Sequence, residues 1–151
     1  MRHANPMSVW TRFAVLPLLT LAVWSRDWIG WWCLVPIVLL VVWLVVNPLF
    51  FHPPTSTKHW ASASVFGERI WSESERGSLP PEFRSAAPGI AQAYQVIGLG
   101  FLVYGLIVFD LGVTICGLLI VEGGKLWYLD RMVLLYGAVK QRDPVAASWE
   151  Y

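Results

Sequence analysis

The side chains that could do chemistry in this chain fall into two groups. Asn47, His52, Lys58, His59, Glu68 and Arg69 lie in or beside the polar middle of the sequence, and Glu122, Lys125, Asp130 and Arg131 lie near its end. Imidazole and carboxylate move protons or hold metals, whereas lysine and arginine hold anions. His59 and Glu68 are nine positions apart, which puts them on opposite faces of a continuous helix and argues against a shared metal. His52 and His59 also lack a close ligand spacing such as H-x-x-x-H, so no metal site is expected. Glu122 and Lys125 are three apart and meet on one helix face. At membrane depth such charges are costly unless paired or wet, which makes them candidates for a proton or ion path. The simpler expectation is pairing, of Glu122 with Lys125 and of Asp130 or Arg131 with Arg69 or Glu68. A further charged turn, Arg26-Asp27, is flanked by Trp24, Trp28, Trp31 and Trp32. It reads as an aromatic belt in preference to a ligand mouth. No nucleophile elbow, P-loop, dinucleotide fingerprint or haem-attachment motif is present, so no reaction class and no cofactor follow.

The elements that must position these residues are apolar. Of 151 residues, 56% are hydrophobic and 14% charged, against about 45–50% and 25% in ordinary soluble domains. Ten residues are tryptophan, a side chain that gathers where lipid meets water. The net charge of +1 gives no electrostatic reason to expect a nucleic-acid partner. Cys33 and Cys116 sit in apolar runs and read as packing residues. The composition therefore places the chain in a lipid bilayer.

The run Trp28 to Phe51 has 24 residues without a charge, enough to cross a hydrocarbon core of about 30 Å. Pro36 lies in its first third, where a kink is tolerable if the freed carbonyl is satisfied, and Asn47-Pro48 followed by Pro53-Pro54 ends it. Ser85 to Phe109 is a second charge-free run, with its helix beginning near Pro88. Gly98 and Gly105 within it, and Gly112 beyond it, recur at sevens and would let another helix approach closely. A shorter first span runs over 9–25, with Arg12 snorkelling. No cleavage site follows it, so it is read as retained. A fourth span covers 111–128, started by Asp110 as its cap and continuing as an interfacial segment over 129–142. The tail beyond Asp143-Pro144 is expected to fray.

The expected fold is thus an all-α membrane protein with four transmembrane helices, over 9–25, 28–51, 88–109 and 111–128, in a single domain. The polar loop 52–87 holds an amphipathic interfacial helix over Thr57 to Glu75, with Trp60, Ala63, Gly67, Ile70 and Trp71 on one face, followed by a break over 76–81. With four spans, Arg2, Arg12, Lys58, Arg69, Arg76, Arg84, Lys125, Arg131, Lys140 and Arg142 share one side and Arg26 takes the other. That asymmetry sets both termini in the cytoplasm.

Several stretches carry a resemblance: Trp24-Ser25-Arg26-Asp27-Trp28-Ile29-Gly30-Trp31-Trp32, Asn47-Pro48, Ser56-Thr57-Lys58-His59-Trp60-Ala61-Ser62 with Gly67-Glu68-Arg69, and Gly124-Lys125-Leu126-Trp127-Tyr128-Leu129-Asp130-Arg131-Met132-Val133. Together they resemble a family of small prokaryotic integral membrane proteins known only as a domain of unknown function, over roughly Trp10 to Tyr136. The resemblance implies a four-helix protein of the inner membrane and no activity. For function, the first expectation is a non-catalytic accessory or oligomeric subunit that uses Gly98, Gly105 and Gly112 to meet a second copy or another membrane subunit. The alternative is an enzyme or carrier for a lipid, isoprenoid or quinone-like amphiphile, using the polar cluster at the cytoplasmic rim. A channel formed by oligomers is the weakest of the three, because the two strongest spans carry no charge.

Overall fold

A computed structural model describes residues 4–74, 79–84 and 87–151, and the described residues are helical with no strand. Arg2, Glu75, Ser85 and the break residues 76–78 lie outside them. Three helical stretches, Pro6–Phe50, Pro81–Val108 and Leu111–Lys140, are long and apolar enough to cross a membrane.

The first stretch folds back on itself. Asn5 caps α1 (Pro6–Phe13) by accepting from Met7 N, and Pro6 fills the first helical position. After Ala14 the chain continues as α2 (Val15–Trp24). The reversal is made by α3 (Arg26–Ile29) and a 3-10 turn, Gly30–Cys33, entered at Gly30 with φ +55°. Glycine adopts that conformation without the steric cost of a Cβ. α4 (Leu34–Phe50) then returns against α2. The expected span from Trp28 therefore begins six residues later, because Trp28 to Cys33 is spent on the turn. Pro36 falls in the first turn of α4, where no intrahelical N–H is needed. The helix ends at Phe50, two residues beyond Pro48 and before Pro53-Pro54; in the last turn the missing N–H of Pro48 costs one bond only. The two arms are joined where they close. The Asn47 amide is fully buried, 2.6 Å from Ser8 Oγ and 2.8 Å from Thr11 Oγ1, and Asn5 Nδ2 donates to the His52 carbonyl at 2.9 Å.

α6 (Ala87–Val108) and α7 (Leu111–Lys140) form a second antiparallel pair. Their backbones approach at glycines on both helices. A Cβ at Gly98 would lie 2.8 Å from Val121 N, and one at Gly105 would lie 2.5 Å from Thr114 N. A Cβ at Gly117 would run into Leu102 N, and one at Gly124 would lie 2.9 Å from the Gln95 side chain. At the reversal Phe109 takes a left-handed φ of 56°, and Asp110 N donates to Gly105 O at 3.0 Å, a helix ending that usually uses glycine. Asp110 caps α7 by accepting from Val113 N at 2.9 Å, as its position in the sequence predicts.

α7 does not stop at Tyr128. It continues unbroken to Lys140, so residues 129–140 are the same helix extended. The extension carries α5 (Trp60–Glu73), which is shorter than the expected Thr57 to Glu75. Phe66 and Ile70 of α5 pack with Met132, Leu135 and Tyr136 of α7 in a buried cluster that also takes Ala4 and Leu79. Gly67 makes this contact close, since a Cβ there would fall 1.9 Å from the Met132 carbonyl oxygen. The tail is held and does not fray. α8 (Pro144–Ala147) is capped by Asp143, Trp149 packs 5.7 Å from Phe66, Thr57 N donates to Tyr151 O at 2.9 Å, and Tyr151 N donates to Thr57 Oγ1 at 2.9 Å.

Candidate functional site

Along α7, Glu122, Lys125 and Tyr128 follow at intervals of three, a stripe that continues to Leu129 and Met132 where α5 docks. Helical geometry fixes this stripe, since residues three or four apart share a face. α5 is oriented by its apolar side on α7, and that orientation sets Glu68, half-buried, toward Arg12 of α1 and Lys125 of α7. Three elements thus converge on one polar junction. Arg12 Nε donates to Ser8 O at 3.1 Å, and Lys125 Nζ lies 4.9 Å from the centre of the Phe13 ring, a cation–π arrangement.

Beside the junction is a cavity of about 380 Å³ lined by Arg12, Val65, Glu68, Arg69, Trp71, Ser72 and Tyr128. Burial pushes the Glu68 carboxyl above the usual glutamate range, and Arg12 and Lys125 pull it back in part. Desolvation outweighs attraction there. An open cleft with cations, a carboxyl and a phenol can accept hydrogen bonds from a ligand at Glu68 and donate them from Arg12 and Tyr128.

The structure brings Glu68, Glu122 and Lys125 together and adds Arg12 and Tyr128, which sequence reasoning did not select. Arg12, a snorkelling base by its sequence position, comes into range of Glu68 through the position of α5. Arg69 lines the cleft but is tied to Glu73 at 3.0 Å and lies over the Trp149 ring. The other expected members are elsewhere. Asn47 belongs to the α1–α4 closure, His52 and Lys58 are exposed in the loop, and exposed His59 precedes the first turn of α5. Asp130 is exposed, and neither it nor Arg131 pairs with α5 among the described residues. The layer is therefore pinned by the Phe66–Met132–Tyr136 cluster and not by the expected ion pairs. Gly98 and Gly105 serve the α6–α7 contact inside the chain, whereas at Gly112, at the α7 start, an added Cβ would meet only Asp110 Oδ1, at 3.4 Å.

At the opposite end Arg26 donates to the Leu106 carbonyl and lies 4.0 Å from the Phe109 ring centre. It caps the carbonyl end of α6 and lines a larger cavity of about 490 Å³ with Trp31, Cys33 and Phe109. This accounts for the lone base of that turn without a ligand.

A family model described as a family of unknown function (DUF6653) matches residues 1–150. No curated protein and no solved structure matches the chain.

Proposed function

Since the chain belongs to a family of unknown function, DUF6653, we propose from its geometry that it is a small integral membrane protein whose junction cleft holds the polar end of a lipid-like amphiphile. In this reading the arms α1–α2 and α4 make two crossings and α6 and the first half of α7 make two more. The termini, α5 and the end of α7 then share the cytoplasmic side of a prokaryotic inner membrane, with Arg26 on the other. The membrane assignment is supported by side chains such as Leu39, Val45, Val96 and Ile107, which are exposed on the outer faces of α4 and α6. A soluble monomer rarely leaves so continuous an apolar surface in water. α1–α2, α4 and α6 have 8 plus 10, 17 and 22 helical residues, or about 25–33 Å each at about 1.5 Å per residue, which suits a hydrocarbon core.

One observation carries the functional part: charged groups from three separate elements, Arg12, Glu68 and Lys125, meet half-buried at the end of an apolar bundle, beside an open cavity. Structural needs alone are met by the α5–α7 core. Buried or rim charges in a membrane protein mark a functional site by default. The favoured ligand has an anionic group for Arg12, a hydrogen-bond donor for Glu68, and an apolar chain that stays in the bilayer. The accessory-subunit reading loses support because Gly98 and Gly105 are already used inside the chain.

The test is native mass spectrometry of protein released gently from membranes, comparing wild type with Arg12→Gln and Glu68→Gln. The reading predicts one co-purifying amphiphile class, reduced at least tenfold in both variants and unchanged in Lys58→Gln. Equal lipid adducts in all four proteins would contradict it.

A further inference from the structure

Behind the cleft, Glu122 is the one charged side chain among the described residues that is buried, with 9% of its surface exposed. Both of its carboxyl oxygens are hidden from solvent and neither accepts a hydrogen bond from a described residue. An ionised carboxylate in that condition costs several kcal/mol unless a counter-charge reaches it. Lys125, one turn further along α7, is the cation within electrostatic range, yet its ammonium lies over Phe13 and is not bonded to Glu122. Lys125 is in turn within range of Arg12 from α1 and Glu68 from α5. The ionisable groups of α6 are Tyr94 and Tyr104, and both are exposed. Against this stretch α6 sets Gln95, whose Cγ packs on Gly124 and whose neutral amide donates to Ala91 O at 3.3 Å.

We propose that Glu122 is a proton-binding site that exchanges with the α5 side, with Lys125 as the counter-charge that turns toward it when the proton leaves. In the arrangement seen, Glu122 holds the proton and Lys125 rests on Phe13. On release the carboxyl O–H bond breaks, its electron pair stays on oxygen and the proton passes to water as hydronium. Lys125 keeps its own proton and swings from the ring to the new carboxylate. Reprotonation reverses both movements. Because Lys125 also faces Glu68, proton loss at Glu122 withdraws a cation from the cleft, so the two sites are linked through one side chain.

The proton site stands whether or not the cleft binds lipid, and it is tested without added ligand. Infrared spectra of the full chain in a maltoside detergent, which has no carbonyl group, would be recorded across a pH series in H2O and D2O. The wild type is expected to show at neutral pH a carboxylic-acid C=O band that shifts in D2O and disappears on raising the pH. That band is expected to be lost in Glu122→Gln, moved in frequency in Glu122→Asp, kept in Glu68→Gln, and to persist to higher pH in Lys125→Met. The Asp variant and the wild-type titration suffice if the Gln variant does not fold. A wild type with no such band, or a band indifferent to both Glu122 variants, would overturn the proposal.

Discussion

Glu68 shows how a single residue takes its role from neighbours that the sequence does not place beside it. Burial raises its carboxyl above the usual value of 4.5, so the folded chain binds that proton more tightly than the unfolded chain. Stability is then present below the unfolded value and is lost as pH rises through the folded one. Thermal unfolding of the wild type should therefore fall as pH rises from about 4.5, and Glu68→Gln should flatten that fall. A variant with the wild-type slope would show that Glu68 is not the group responsible. Arg26 is a second case: Arg26→Met removes the bond to the Leu106 carbonyl and the Phe109 contact, and should cost about 1–2 kcal/mol in reversible unfolding. The sequence makes both residues visible as charges beside apolar runs. It hides their partners, because Arg12 lies 56 positions from Glu68 and Arg26 lies 80 from Leu106.

At the scale of elements, apolar runs and glycine spacing were legible and helix ends were less so. The heptad of Gly98 and Gly105 marks a close helix contact, and the matching heptad on α7, Gly117 and Gly124, completes it within the chain. Proline is tolerated at both ends of α4, because the missing N–H of Pro36 lies in the first turn and that of Pro48 in the last. The extension of α7 beyond Tyr128, where charges interrupt the apolar run, remains one helix with the stretch before it because α5 covers its far half. The decisive residue there is Gly67, a small residue on an amphipathic face whose partner cannot be seen in sequence. Gly67→Val, which would drive a side chain into the Met132 carbonyl, should cost about 1–3 kcal/mol or more and speed amide exchange across α5. Gly100→Ala, where nothing lies within 4 Å, should leave α5 protected and shift stability by about 0.5–1 kcal/mol at most, in the stabilising direction. Equal effects of the two substitutions would contradict the α5–α7 packing.

For the whole molecule, composition marks the apolar character and the asymmetry of basic residues motivates the proposed orientation, but neither bears on chemistry. The cleft was partly legible, through Glu68 and Arg69, which line it. It was mixed with His52, Lys58 and His59, which share its stretch of sequence but not its location. A loop leading into a docked helix scatters neighbours in sequence to different surfaces. The proposed orientation predicts that single cysteines at Lys58 and Tyr151, in a background lacking Cys33 and Cys116, react with an impermeant thiol reagent from the cytoplasmic side, and one at Trp31 from the other. Labelling of Lys58 and Trp31 positions from the same side would rule the arrangement out. If the cleft receives an amphiphile, photo-crosslinking in the membrane reports it. A photoreactive phenylalanine analogue at Tyr128, activated in native membranes, should give a mass-defined adduct with one amphiphile class, which the same analogue at outward-facing Val45 does not give and Arg12→Gln abolishes. Adducts at Tyr128 that match those at Val45 and survive Arg12→Gln would contradict the account.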